Sequence, residues 1–185
     1  MAARAFPLSA MRWLITLLAL TVSVAPVQAH PAPFSFVDVR IEGSVVTFEV
    51  VVHAFDVAYE LGIQPPNRVV EPGGLGSRGP RLGTLVRERL TILVDGQRVD
   101  VEAWSEPEPV PDRQSVRLTA RQELSDLPGV IDVAADMFPY DLQHQTFVNF
   151  YDAGELRSQA ILGGSDRAFE YFVGSRQGTM AVIQK

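Results

Sequence analysis

Three histidines and two aspartates are the residues best equipped for chemistry in this chain of 185 residues. The histidines are His30, His53 and His144. Asp56 follows His53 by three residues, and Asp141 precedes His144 by three. Imidazole suits copper, nickel and zinc. A carboxylate nearby can ligate the same ion or orient the ring from outside the coordination sphere. Cleavage after Ala29 would leave His30 with a free α-amine beside its imidazole, and those two nitrogens can chelate one ion. Pro31 removes the next backbone amide, which would otherwise compete once deprotonated. An amine with imidazoles favours Cu(II) or Ni(II) over zinc. His30, His53, His144, Asp56 and Asp141 are therefore the candidate metal ligands. Their spacing fixes no geometry, unlike a His-Glu-x-x-His helix. Only the fold can unite them. In the alternative reading each histidine caps, hydrogen-bonds or simply faces water.

The element that must position His144 and Asp141 is the stretch Met137 to Asp152. Its second half, with Thr146, Phe147, Val148, Phe150 and Tyr151, reads as a strand that ends in the turn Asp152-Ala153-Gly154. Its first half holds Pro139, which lacks an amide donor and keeps Phe138 extended. The spacing predicts a polar loop that delivers Asp141 and His144 to a strand mouth. His53 ends a second strand. Val46, Phe48, Val50, Val52 and Ala54 alternate onto its core face and leave His53 on the more polar face. Before it, Ser35, Val37, Val39 and Ile41 share one face of a first strand, and Glu42-Gly43 turns the pair into a hairpin.

The remaining chain reads as short strands with little helix. Asp56 to Leu61 is expected to form one helical turn, with Asp56 as N-cap and Gly62 as the stop. Residues 63–83, rich in Pro and Gly, read as a flexible surface loop, and Thr84 to Arg89 as a short helix. Leu90 to Val94, the Asp95-Gly96 turn and Val99 to Trp104 form a second hairpin. Glu106 to Pro111 is an extended linker. Strands follow at Ser115 to Leu124, Val130 to Ala135, Leu156 to Leu162 and Ala168 to Val173, and residues 174–185 form a tail or final strand. About nine short strands between turn signals predict a mainly β fold, an antiparallel β-sandwich over residues 30–173.

The N-terminus carries Arg4 and Arg12, then an apolar run from Trp13 to Ala25, then Val27-Gln28-Ala29 in the form of a cleavage site. The run is well short of the ~20 residues of a membrane-spanning helix. Residues 1–29 therefore read as a cleavable signal segment. The chain has no cysteine, which excludes disulfides, thiolate catalysis and iron–sulfur clusters. Its formal charge is −6, with no basic run, so nucleic acid and anionic lipid are poor partners. No Gly-x-Ser-x-Gly elbow is present. Asp136, Asp141 and Asp152 flank the central stretch as ordinary turn and strand-end carboxylates, and an enzymatic role is not expected.

Several motifs carry a resemblance. Phe138-Pro-Tyr-Asp, His144-Gln-Thr-Phe-Val-Asn, Gln159-Ala-Ile-Leu and Gly174-Ser-Arg-Gln-Gly178 resemble the extracytoplasmic N-terminal region of HupE/UreJ-type membrane proteins. So do His30-Pro-Ala-Pro-Phe-Ser and Val52-His-Ala-Phe-Asp56. The likeness spans most of residues 30–182. That family is associated with hydrogenase and urease and linked to nickel or cobalt uptake. After residue 30 this chain carries none of the family's membrane helices, to which the transport role belongs. The resemblance implies an exported domain, in the periplasm or on the extracytoplasmic face of a bacterial inner membrane. It implies an accessory that binds nickel, cobalt or copper and serves metal uptake, with a membrane transporter region or a periplasmic protein as partner. The alternative is a metal-free interaction or structural module docking on such a partner.

Overall fold

The computed structural model describes residues 34–180 except 102, 176 and 177. The expected signal segment 1–29 and the His30 chelate lie outside the described residues. The described residues form eleven strands in two sheets. β1 (Phe34–Glu42), β2 (Val45–His53), β5 (Glu108–Val110), β6 (Ser115–Glu123), β8 (Gln145–Asp152) and β9 (Glu155–Leu162) make a six-stranded sheet in the order β5-β6-β2-β1-β8-β9. β3 (Leu90–Val94), β4 (Gln97–Arg98), β7 (Val130–Ala135), β10 (Ala168–Phe172) and β11 (Gly178–Met180) make a five-stranded sheet in the order β11-β10-β7-β3-β4. Among the described residues the α-helices are α1 (Ala54–Leu61) and α2 (Gly79–Arg89). Among the described residues, no helix is long and apolar enough to cross a membrane.

The period-two alternation of the sequence decides which side of the large sheet is core. Val37, Val39 and Ile41 of β1 and Val46, Phe48, Val50 and Val52 of β2 are buried, in the expected rows. Val116 and Leu118 of β6 and Val148 and Phe150 of β8 continue the layer. Phe150 meets the second sheet directly. Its ring lies 4.7 Å from that of Tyr171 and 5.8 Å from that of Phe169, both on β10.

Every strand pairing among the described residues is antiparallel except one. β1 pairs in parallel with β8, with Phe36 opposite Phe147 and Val37 opposite Val148. The wholly antiparallel arrangement expected from the sequence fails here for a physical reason. β2 fills one side of β1 through a tight hairpin. The other side is filled by a strand from the far half of the chain, whose direction no hairpin constrains.

Other local differences have equally local causes. α1 starts at Ala54, and its N-cap is His53, whose Nδ1 accepts from the Phe55 amide at 3.3 Å. Asp56 is not the cap because its carboxylate is turned into the core. Gly62 ends the helix at φ 63°, as expected of a left-handed stop. Residues within 63–83 hold two 3₁₀ turns, Pro66–Val70 and Gly76–Arg78, and α2 begins at Gly79 rather than Thr84. The Asp95-Gly96 turn forms with φ 49° and 77°, and the return along β3 is short: Gln97–Arg98 pair with it and the Val99 amide still donates to Ile92 O at 3.0 Å. Ser105 is claimed by the other sheet. Its amide donates to Thr119 O at 2.7 Å, and its Oγ accepts from the Thr119 amide at 3.0 Å. The expected linker then contributes β5, and of the two readings for residues 174–185, tail or final strand, Gly178–Met180 forms the strand β11.

Because Phe150 links the two sheets from a fully buried position, Phe150→Ala should cost about 3–5 kcal/mol of stability. Urea denaturation followed by far-ultraviolet circular dichroism measures this.

Candidate functional site

β1 begins, β2 ends, β8 begins and β9 ends at one end of the large sheet. The residues with chemical potential gather there. The loop before β8 is fixed by two tight turns, Asp141 N to Phe138 O at 3.0 Å and His144 N to Asp141 O at 3.1 Å. The Asp141 carboxylate accepts from the Gln143 amide at 2.9 Å and so holds the turn itself. From the helix side, Arg89 donates to both Glu60 and the Met137 carbonyl, each at 2.7 Å, and clamps the loop to α1.

The loop delivers His144 into the core. Its Nε2 lies 2.9 Å from Ser35 Oγ, and its Nδ1 lies 3.8 Å from Asp56 Oδ2. The other Asp56 oxygen, Oδ1, accepts from the Tyr140 hydroxyl. Ser35 and Asp56 are 0% and 1% exposed. With Ser35 donating to Nε2, Nδ1 carries the proton and faces Asp56 Oδ2 across 3.8 Å, too far for a hydrogen bond, so neither of these two buried atoms has a hydrogen-bond partner. The order hydroxyl, imidazole, carboxylate is that of a nucleophilic relay. Here Ser35 Oγ is sealed in the core, so a substrate carbonyl has no approach to it. A cleft of about 230 Å³ adjoins His144 and Thr146, and Ser35 is not in its wall.

Burial sets the charge states. It raises the Asp56 carboxyl to about 6, with Asp141 and Glu60 adding to the rise and the Tyr140 hydrogen bond opposing it. Burial lowers the His144 imidazole to about 4, against the opposing pull of Asp141 and Asp136. At neutral pH the pair is a carboxylate facing a neutral ring.

The predicted metal ligands are thus divided. His144 and Asp56 face each other in the core. Asp141 stays in the adjoining loop turn. His53 lies on the opposite, outer face of the large sheet, capping α1 and stacked on Phe55 at 5.4 Å. Among the described residues, no group of three or more His, Cys, Asp or Glu side chains is placed to hold a metal ion.

Sequence reasoning passed over Ser35 and Tyr140. Ser35 carried a signal, as the one polar member of an inward row of Val37, Val39 and Ile41. Tyr140 carried none, since its role depends on a helix far away in the chain.

The same end bears an apolar cap. Phe55 and Tyr59 stand four residues apart on α1 and are 52% and 64% exposed. Tyr140 stacks on Tyr59 at 3.9 Å, and Leu142 is 86% exposed. α1 therefore turns its small residues, Ala54, Val57 and Ala58, inward and its aromatic rings outward. That inverts the usual economy of an amphipathic helix.

A larger cleft, about 700 Å³, lies between the Gly-rich segment and Trp104 and holds none of the predicted ligands. No protein-family model matches the chain, and no curated protein matches it.

The opposed shifts make a test by pH. The raised Asp56 group contributes stability that is present below its unfolded value of 3.8 and is lost as pH rises through about 6. The lowered His144 group contributes stability that is present above 6.5 and is lost as pH falls through about 4. The two offset each other between. Asp56→Asn should leave a protein that weakens on acidification from pH 6.5 to 4, and His144→Gln one that gains relative stability as pH falls through about 6. Thermal melting of both variants across that range reads the two slopes.

Proposed function

We propose that this chain is an exported interaction module, resembling the extracytoplasmic region of HupE/UreJ-type proteins, that docks on a membrane-embedded or periplasmic partner protein. The observation that carries this is the aromatic cap. Phe55, Tyr59, Tyr140 and Leu142 form a fixed apolar surface at one end of the domain. Surfaces of this kind mark interaction sites, and tyrosine is among the residues that anchor them. We read the two sheets as a sandwich, a rigid mount for that cap. The buried Ser35–His144–Asp56–Tyr140 group serves as its fastening. Tyr140 belongs to both, and its hydroxyl is held by Asp56 while its ring supports Tyr59.

The cap also lies where β1 starts. The chain's acidic balance favours a protein partner over anionic lipid.

A role as a nickel, cobalt or copper accessory has less support in this geometry, because His53 and His144 project to opposite sides of the large sheet. The two readings separate by experiment. A photoreactive residue at position 59 or 142 should cross-link in cells to a membrane-fraction or periplasmic protein, and one at the exposed Asp100 should not. The double variant Tyr59→Ser/Leu142→Ser should lose that cross-linked partner by at least about tenfold with little change in melting temperature. Equal cross-linking at all three positions would sink the docking reading. Calorimetric titration of Ni(II), Co(II) and Cu(II) into protein beginning at His30 should show no tight one-to-one site. Tight binding that is weakened by one extra residue ahead of His30 would instead establish the terminal chelate.

A further inference from the structure

Among the described residues the two sheets end in four edges, and three of them are short. β4 is two residues long and β11 three, and β5 is three residues with Pro109 at its centre. Short edges and prolines keep one sheet from adding to another. β9 is different. It runs for eight residues, Glu155-Leu-Arg-Ser-Gln-Ala-Ile-Leu162, with no proline and no lysine, and among the described residues no strand pairs with its outer side.

The irregularity in β9 sharpens the point. Phe150 pairs with Ser158, and Tyr151 pairs with Leu156, so Arg157 is the extra residue of a bulge. In a regular strand, residues five apart point to opposite faces. The bulge puts Leu156 and Ile161 on the same outer face, where they are 52% and 48% exposed. Ile161 lies opposite Phe147, which contacts Phe36 at 5.4 Å and Phe34 at 5.3 Å. An apolar ridge thus runs across the outer face up to the open edge.

We infer that β9 is the pairing edge of a two-fold homodimer, in which it joins its copy antiparallel and the two large sheets become one. The strand is complementary to itself. With the bulged Arg157 skipped on each strand, pairing about a dyad through Gln159 sets Leu156 of each copy opposite Ile161 of the other, twice, on the outer face. The charge pattern also selects a second copy. The whole chain is acidic, at −6, so two copies repel over most of their surface. β9 is neutral, because Glu155 and Arg157 are its only charges and they pair within the strand at 3.2 Å. The dyad region itself, Ser158-Gln159-Ala160, carries no charge. This edge is separate from the aromatic cap, so the inference stands whether or not the cap binds a partner.

The test is sedimentation equilibrium of the purified protein across the micromolar range, with two variants, Leu156→Glu and Ile161→Lys. Both positions are half exposed, and circular dichroism confirms that each variant folds. The wild type should be a monomer–dimer equilibrium with a mass limit of twice the chain. Each variant alone should dimerise at least about tenfold more weakly, since an ionised side chain then faces an apolar one at both symmetric positions. Mixing the two variants should restore dimer, because one pair becomes Glu opposite Lys and the other remains Ile opposite Leu. A wild type that stays monomeric, variants that dimerise like the wild type, or a mixture that restores nothing would each overturn the inference.

Discussion

A carboxylate buried at the end of a hydrocarbon core is the constraint around which this structure is arranged. Asp56 is turned inward from the first turn of α1 and is 1% exposed. An isolated charge there would cost many kcal/mol, so it must be neutralised or supplied with donors. The protein supplies donors from a single place, the loop before β8. Tyr140 reaches one oxygen and His144 faces the other, and His144 is in turn held by Ser35 at the start of β1. Three separate segments are thereby tied at one point, and the loop that ties them inherits a fixed shape.

That fastening explains why so much apolar surface can stay outside. Tyr140 must keep its hydroxyl on Asp56, so its ring is parked beside α1, where Tyr59 stacks on it. Leu142 then projects from a loop whose ends are pinned by the turns at Phe138 and Asp141. An aromatic cap on a mobile loop would lose much of its binding free energy to ordering. One held by buried hydrogen bonds has already met that entropic cost in folding.

The sequence made the strands legible wherever one face was core. The alternation in β1 and β2 and the Asp95-Gly96 turn appear in the structure as read, because side-chain burial enforces a period of two. Long-range choices were not legible. Nothing in Phe34 to Glu42 announces that its second neighbour is β8, or that the direction is parallel. The strap after β4 read as a returning strand, since Val99 and Val101 alternate, and the Val99 amide does reach Ile92 O, but Ser105 at its far end is bonded to Thr119 of the other sheet. The candidate site was half legible. His144 and Asp56 stood out as scarce, chemically able residues. Their meeting with Ser35 and Tyr140 depends on contacts between residues up to 109 apart, which no local pattern encodes. His53 looked like a ligand and is a helix cap, a role equally suited to an imidazole nitrogen with a free lone pair.

The parallel neighbour of β1 sets a schedule as well as a shape. β1 is the first described strand and lies in the interior of the six-stranded sheet, between β2 and β8. As the chain emerges from its N-terminal end, β1 and β2 can close their hairpin early, since the turn between them is local. The other side of β1 must then wait, with open amides and carbonyls, until the segment from Gln145 to Asp152 has also appeared. Such non-local pairing is slow, and an unfilled strand edge is a site for misassembly in the meantime. A chain that folds as it emerges would hold that edge open and complete its central sheet only after most of its length had arrived. Conditions that slow its emergence would lengthen the interval in which the flank of Phe34 to Glu42 stays bare.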